Sequence, residues 1–368
     1  MTTPLKLGEL FAGYGGLGMA VEEVFGAELA WYAEFETAPS KIMAHHWPNV
    51  PNYGDVTQID WANIEPVDII SGGSPCQDLS LAGKRRGMNE GTRSNLWESM
   101  REGIATIKPK YVVWENVRGA LSAGAVSEME QSEGRLGESG SPYLRALGRV
   151  LGDLADLGYD AEWRGLRAAD VGATHNRFRV FLLAALPDAR GLGLEAGRLP
   201  SGQAPQVTEP TDDLSLFSDA YRLGYERGWE ARGRRLGPAN LDSAPANPVS
   251  LGCDGRSRAQ GRQEGAGTPT QGPSEGTRWG KYEPAVRRWE RIHGPAPRPT
   301  EPSGRNGKRR LSPEFESWMM GLPPGWITGV EGLTWGDQVK AAGNGVVPQQ
   351  AAAALRDMLA AFDKQHAA

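Results

Sequence analysis

Leu5-Lys6-Leu7-Gly8-Glu9-Leu10-Phe11-Ala12-Gly13-Tyr14-Gly15-Gly16 is the stretch on which the fold turns. Leu5–Phe11 reads as an apolar strand. Gly13-Tyr14-Gly15-Gly16 reads as a tight turn, in which glycine lets the backbone come close to a ligand. Met19, Val21, Val24 and Phe25 then recur at helical spacing. The alternation continues. Leu29–Tyr32 is a strand pattern ending at Glu34, Val67–Ile70 runs into Gly72-Gly73-Ser74-Pro75, and Tyr111–Trp114 ends at Glu115-Asn116. Ala161–Leu166 and Val180–Ala185 add two more. Strands alternating with helices predict an α/β fold with a mostly parallel sheet.

In such sheets ligands bind beyond the carboxyl ends of the strands. Here those ends carry glycines, Glu34, Cys76 and Glu115, so a thiol and two carboxylates fall on one edge. Glu34 lies 21 residues after Gly13, the spacing of an acidic residue that binds ribose hydroxyls. The glycines do not form a strict G-x-G-x-x-G, and the turn alone leaves a nicotinamide cofactor and S-adenosylmethionine both open. Cys76 sits in the Pro-constrained turn Ser74-Pro75-Cys76-Gln77, with Lys84, Arg85, Arg86 and Arg93 nearby in sequence to lower a thiol pKa. The alternative is an inert buried cysteine, although core cysteines sit among apolar neighbours rather than in Gly-Gly-Ser-Pro. Glu115 ends an apolar strand, where poor solvation raises a carboxyl pKa and fits it for proton donation. A helix N-cap is the plainer reading of an isolated Glu-Asn pair.

The 368 residues allow two domains, or one large domain with an insertion. No stretch approaches the roughly 20 apolar residues of a membrane span, and the N-terminus lacks a secretory pattern. Two cysteines, Cys76 and Cys253, exclude a disulfide framework, and five scattered histidines give no metal spacing. The expected compartment is a reducing cytoplasm. Net charge is −5, yet residues 190–310 hold 20 Lys and Arg against 14 Asp and Glu. A basic segment inside an acidic body suits either a face for a polyanion or a solvated, Arg-rich insertion. Within it, Ala244–Gly276 reads as loop or disorder, and order returns at Trp279–Ile292. Ser312–Met320 is a helical pattern stopped at Gly321-Leu322-Pro323-Pro324-Gly325, and an Ala-rich helix starts at Pro348.

Phe11-Ala12-Gly13-Tyr14-Gly15, Pro75-Cys76-Gln77 and Glu115-Asn116-Val117 together resemble the ordered signature motifs of DNA cytosine-5 methyltransferases. His175-Asn176-Arg177-Phe178-Arg179 is similar to that family's Gln-x-Arg-x-Arg element, with His175 where Gln is usual. Arg310–Gly325 and Gly343-Asn344-Gly345-Val346-Val347 resemble its last two. The resemblance implies a Rossmann-like S-adenosylmethionine-dependent fold with a smaller inserted target-recognition region. Residues 1–189 would form the catalytic and cofactor domain, 190–310 the recognition region, and 311–368 a segment completing the catalytic domain. It implies that Phe11, Gly13 and Gly15 cradle the methionine part of S-adenosylmethionine. Glu34 would bind its ribose, Phe35 would stack on adenine and Asp55 would read the adenine amino group. Cys76 would add to C6 of a flipped-out cytosine and Glu115 would act at N3. Arg177 and Arg179 would orient thiol and base, and Asn344 would join the last motif to the first. Leu79–Asn95 would be a basic loop that closes on DNA. Double-stranded DNA is the expected partner, a cognate restriction endonuclease a further one, and the chain is expected to be a monomer without a metal. An RNA cytosine-5 methyltransferase, a catalytically inactive DNA-binding relative and a nicotinamide-dependent dehydrogenase are the alternatives.

Overall fold

The computed structural model describes residues 3–74, 96–121, 124–125, 144–189, 279–302 and 308–366. Cys76, the loop Leu79–Asn95 and the stretch Ala244–Gly276 lie outside the described residues. The chain divides into two compact units, one of residues 1–202 with 284–368 and one of residues 203–283. Of the second unit, the described residues include a single 3-10 turn, Gly280–Tyr282.

The first unit is built on a six-stranded sheet in the order β2-β1-β3-β4-β8-β7. The strands are β1 (Leu5–Leu10), β2 (Ala27–Ala33), β3 (Ile69–Gly72), β4 (Tyr111–Val117), β7 (Asp160–Arg167) and β8 (Phe178–Ala185). Two short strands, β5 (Gly124–Ala125) and β6 (Leu144–Arg145), pair with each other apart from it. β2, β1, β3 and β4 are parallel, whereas β8 runs antiparallel to β4 and β7 antiparallel to β8. The six patterns read from sequence are thus the six strands, and the sheet is mostly parallel with an antiparallel pair at one edge. Parallel neighbours need crossover helices. α1 (Gly16–Phe25) links β1 to β2, and α3 (Leu96–Ile107) precedes β4. α2 (Thr37–His46) follows β2, and α4 (Ala146–Asp156) precedes β7.

β4 is the buried centre. Val112, Val113 and Trp114 are fully buried, as expected of a strand covered on both faces. Leu10, Ile70, Trp97, Leu154 and Leu182 pack with Val112 and Trp114 in one core, where the Trp97 and Trp114 rings meet edge to face at 6.3 Å. The strand continues through Glu115 and Asn116 to Val117 rather than stopping after four apolar residues. Glu115 is therefore a strand residue, which removes the helix N-cap reading.

The C-terminal part packs back onto the same unit. α5 (Glu283–His293), α6 (Pro313–Met319), α7 (Trp335–Asn344) and α8 (Pro348–His366) follow in order, with a two-residue pair β9 (Thr300–Glu301) and β10 (Arg310–Leu311) between α5 and α6. Ser312 caps α6 by accepting from the Phe315 N–H, with Pro313 at its first position. α8 lies against α1, β7 and β8. Arg164 pairs with Asp357 at 2.5 Å across that contact, and Arg356 pairs with Glu23. Trp289 of α5 is buried and donates to the Trp318 carbonyl at 2.8 Å. Residues 284–302 and 308–310, assigned from sequence to the inserted region, thus belong to the compact unit that holds the sheet.

Candidate active site

β1 is the strand at which the order reverses, with β2 on one side and β3 on the other. The crevice beyond such a switch point is where open α/β sheets bind ligands. Three groups of residues converge there.

The first group is the turn after β1. Phe11 adopts a left-handed backbone, φ 55°, which is strained for a residue with a side chain, and its N–H donates to the Ala33 carbonyl at 2.8 Å. Gly13 (φ 60°) and Gly15 (φ 84°) follow in the same region, where glycine alone is unstrained. Glu34, at the end of β2, accepts from the Gly13 N–H at 2.9 Å through one carboxylate oxygen and from the Glu36 N–H at 2.8 Å through the other. Burial pushes the Glu34 carboxyl up, against the lowering effect of those two N–H groups. Phe35 is 75% exposed, so an aromatic face lies open beside Glu34. Glu34, Phe35 and Gly54 line one pocket, together with Thr37 and Lys41 of α2. Asp55 follows Gly54, and its Oδ1 accepts from both the N–H and the hydroxyl of Thr57.

This group fits the adenosine part of S-adenosylmethionine. Each oxygen of the Glu34 carboxylate keeps a lone pair beyond the bonds described, which ribose hydroxyls can use. The open Phe35 ring offers a stacking face to adenine. Asp55 has its second oxygen for an amino donor.

The second group lies where β3 and β4 end side by side. Gly72 is paired with Trp114, which sets Gly73 and Ser74 beside Glu115 and Asn116. The Ser74 hydroxyl accepts from the Trp114 indole N–H at 3.2 Å, and the Asn116 amide donates to the Ser74 carbonyl at 3.4 Å. Gly73 sits so close to Glu115 that a Cβ there would lie 2.8 Å from Glu115 Oε2. Gly73 and Ser74, which precede Pro75 and Cys76 in the sequence, are thus held next to the Glu115 carboxyl.

Glu115 is 8% exposed, and Arg179 of β8 places Nε 2.7 Å from its Oε1. Val117 pairs with Arg179, so Glu115 and Arg179 are diagonal neighbours on one face of the sheet. Burial is the larger influence on Glu115 and pushes its carboxyl up. Arg179 and Arg177 pull it down without cancelling the rise.

The third group joins the other two to the C-terminal motif. Arg177 donates through its two terminal nitrogens to the carbonyls of Gly343 at 2.8 Å and Gly345 at 2.7 Å. Its guanidinium is thus held by the last motif, while Arg179 meets Glu115. Tyr14, fully buried, donates its hydroxyl to the Val346 carbonyl at 2.6 Å. Trp326 donates its indole N–H to the Tyr14 carbonyl at 3.0 Å and stacks on His46 with ring centres 3.6 Å apart. Asn344 itself is exposed at the end of α7. The join between first and last motifs runs through its neighbours. His175 is pushed down to about 4 by burial and by the Arg177 charge, so the ring is neutral. It lies 3.2 Å from the Met319 carbonyl through Nε2, while Nδ1 faces the Arg177 N–H at 3.4 Å. The proton therefore belongs on Nε2. That is the donor-and-acceptor behaviour expected of an imidazole in place of Gln.

Sequence reading missed Tyr14, Asn52 and Trp326. Tyr14 lay inside the quoted turn but carried no role. Asn52 and Trp326 stand in no motif, and only the tertiary fold brings them to the site.

A doubly wound α/β unit with a nucleotide-type crevice and a buried carboxyl beside an arginine defines the class. The profile of the C-5 cytosine-specific DNA methylase family matches residues 5–360, and the chain belongs to that family. Two curated relatives are Type II methyltransferases of Neisseria. M.NgoBV of Neisseria gonorrhoeae is 30% identical over 201 residues, covering 53% of this chain and 45% of that protein. M.NlaX of Neisseria lactamica is 30% identical over 262 residues, covering 67% of this chain and 74% of that protein. The chain thus spans less than half the length of the first. The solved structure of the Entamoeba histolytica methyltransferase EhMeth matches with a TM-score of 0.51 at 15% identity, covering 99% of each chain, a likeness of fold.

Proposed function

We propose that this chain methylates C5 of cytosine in duplex DNA, within a specific short sequence, using S-adenosylmethionine. The observation that carries the reading is the junction of β3 and β4. The backbone leading into Pro75-Cys76 is pinned by Trp114 and Asn116 against a buried, raised-pKa Glu115 that meets Arg179.

The chemistry assigns each group a part. Cytosine C5 is too weak a nucleophile to take a methyl group directly, and the ring cannot be reached inside the stack, so the base is rotated out. The Cys76 thiolate adds to C6, forming the S–C6 bond, while Glu115 passes its proton to N3. The electron pair then resides on C5 as an enamine. S-Adenosylmethionine, when bound, supplies an electrophilic methyl group at that carbon. Loss of the C5 proton to water restores the ring double bond and expels the thiolate, and N3 returns its proton to the Glu115 carboxylate. Burial that raises the Glu115 pKa keeps the carboxyl protonated further towards neutral pH, as a donor to N3 needs. Arg179 steadies the carboxylate left after transfer.

Phe11, Gly13, Gly15, Glu34, Phe35 and Asp55 are the proposed cofactor residues, with Asn344 near the seam of the first and last motifs. Cys76, Glu115, Arg177 and Arg179 are the proposed catalytic set, in which Arg177 acts through the Gly343 and Gly345 carbonyls. Residues 1–189 and 311–368 are assigned to catalysis and 190–310 to DNA recognition, although 284–302 and 308–310 of the latter fold within the sheet-bearing unit. A cytoplasmic monomer and pairing with a restriction endonuclease complete the reading. Among the described residues no helix is long and apolar enough to cross a membrane.

The test is transfer of labelled methyl groups to duplex DNA and to tRNA in parallel, followed by sequencing of modified cytosines. Label at one short DNA motif, lost in Cys76→Ser, is expected. Label on tRNA alone, or full activity of Cys76→Ser, overturns the assignment.

A further inference from the structure

Asn52 stands at the edge of the cofactor pocket and is exposed, yet its side-chain amide is fully engaged within the protein. Oδ1 accepts from the Glu34 N–H at 3.0 Å and the Gly54 N–H at 2.9 Å. Nδ2 donates to the Glu34 carbonyl at 3.1 Å and the Ser40 hydroxyl oxygen at 3.3 Å. Two lone pairs and two protons are the whole capacity of this amide. An exposed amide ordinarily bonds to water, and fixing it on four internal partners costs side-chain freedom.

Those partners lie on three separate pieces of chain that surround the pocket. Glu34 immediately follows β2, Ser40 belongs to α2, and Gly54 immediately precedes Asp55. Ser40 also donates to the Glu34 carbonyl at 2.8 Å, which closes a ring of bonds around the Glu34 backbone. The segment bearing Asn52 is itself laid along β2, with the Tyr32 N–H on the Pro51 carbonyl at 3.1 Å and the Tyr53 N–H on the Tyr32 carbonyl at 2.8 Å. Asn52 touches neither the Glu34 nor the Asp55 carboxylate. It holds the backbone from which one projects and the residue next to the other.

We infer that Asn52 is the positioning residue of the adenosine subsite, fixing the separation of Glu34 and Asp55. The inference rests on the proposed cofactor reading. Two carboxylates that must meet ribose hydroxyls and an adenine amino group at once bind well only at one spacing, and a displacement of about 1 Å degrades such contacts severely. Removing Asn52 leaves both carboxylates present but frees their spacing.

The experiment is isothermal titration of the full chain with S-adenosylhomocysteine and with 5′-methylthioadenosine, for the natural protein and for Asn52→Ala. Both affinities are expected to fall by about tenfold or more in the variant, because the loss lies in the half of the ligand they share. KM for S-adenosylmethionine rises by a similar factor with kcat within about twofold, and affinity for duplex DNA, measured by fluorescence anisotropy, stays within about twofold. Nucleoside affinities within twofold of the natural protein overturn the inference, as does an equal loss of DNA affinity, which marks a general structural defect. If Asn52→Ala melts below the assay temperature, Asn52→Asp, which keeps the size and both accepted bonds, is held to the same thresholds. A natural protein that binds neither nucleoside overturns the cofactor reading itself, and a natural protein that binds both as tightly as its variants do overturns only the role of Asn52.

Discussion

The Glu115 carboxyl is held between two opposing influences. Burial favours its neutral form, and Arg179 at 2.7 Å favours the charged one. Burial prevails, so the group remains protonated further towards neutral pH than an ordinary carboxyl. Glu115→Gln keeps the shape and can still donate a hydrogen bond, but it cannot deliver a proton. It is expected to lower the methylation rate by about 10²- to 10⁴-fold, with DNA affinity little changed, in single-turnover assays. A loss of less than about threefold would remove Glu115 from proton transfer. The sign for pH follows from the raised pKa. The donor is lost as pH rises through its folded value, so the natural protein should lose rate on the alkaline side, and that limb should vanish in Glu115→Gln. Residue identity made Glu115 and Arg179 legible as candidates in the sequence, since each stands in a recognisable local string. The division of labour between the two arginines was not legible. Arg177 and Arg179 are two residues apart in similar surroundings, and only the fold shows that one bonds to Gly343 and Gly345 and the other meets Glu115.

At the scale of elements, the seam between the turn after β1 and the chain following α7 is made by few contacts of high quality. The Tyr14 hydroxyl bonds to Val346, Arg177 bonds to two carbonyls, and a Cβ on Gly345 would fall within 1.9 Å of the Tyr14 ring. Tyr14→Phe deletes the hydroxyl and its bond to the half-buried Val346 carbonyl, which should cost about 0.5–1.5 kcal/mol in urea unfolding. Gly345→Ala should cost more, because the ring it meets is fully buried and cannot move aside. An equal effect of the two substitutions would contradict this ordering. The strand patterns were legible because apolar runs bounded by Gly, Asp and Glu mark buried strands whatever their direction. The antiparallel setting of β8 and β7 was not, since direction is decided by the connections rather than by the strands' own residues. Asn52 was invisible for a related reason. It lies 18 residues from Glu34, and nothing in Pro51-Asn52-Tyr53 signals that it will fold alongside β2.

For the whole molecule, buried ionisable groups set how stability varies with pH. Glu9 on β1 is fully buried, accepts from the Gly18 N–H at 2.8 Å, and is pushed up to about 8, chiefly by desolvation. Glu316 is pushed up to about 7 by the same cause. A carboxyl raised on folding stays protonated in the native state while the unfolded chain ionises from its ordinary value of about 4.5. The unfolded state then binds fewer protons, and stability falls as pH rises towards the folded value. His175, pushed down to about 4, acts in the opposite sense, but only below its ordinary value of 6.5. Between pH 6.5 and 8 the carboxyls therefore act alone, and Glu9 should contribute a decline approaching about 1.4 kcal/mol per pH unit. Glu9→Gln keeps the acceptor for Gly18 and replaces the protonated oxygen by an amide that cannot ionise. It is expected to be the more stable protein in urea unfolding already near pH 6.5, and the margin is expected to widen towards pH 8. Parallel curves for the two proteins across that interval would mean that Glu9 is already ionised in the folded protein there. A steeper decline in the variant would mean that the buried oxygen facing Gly18 serves the fold better as a carboxylate.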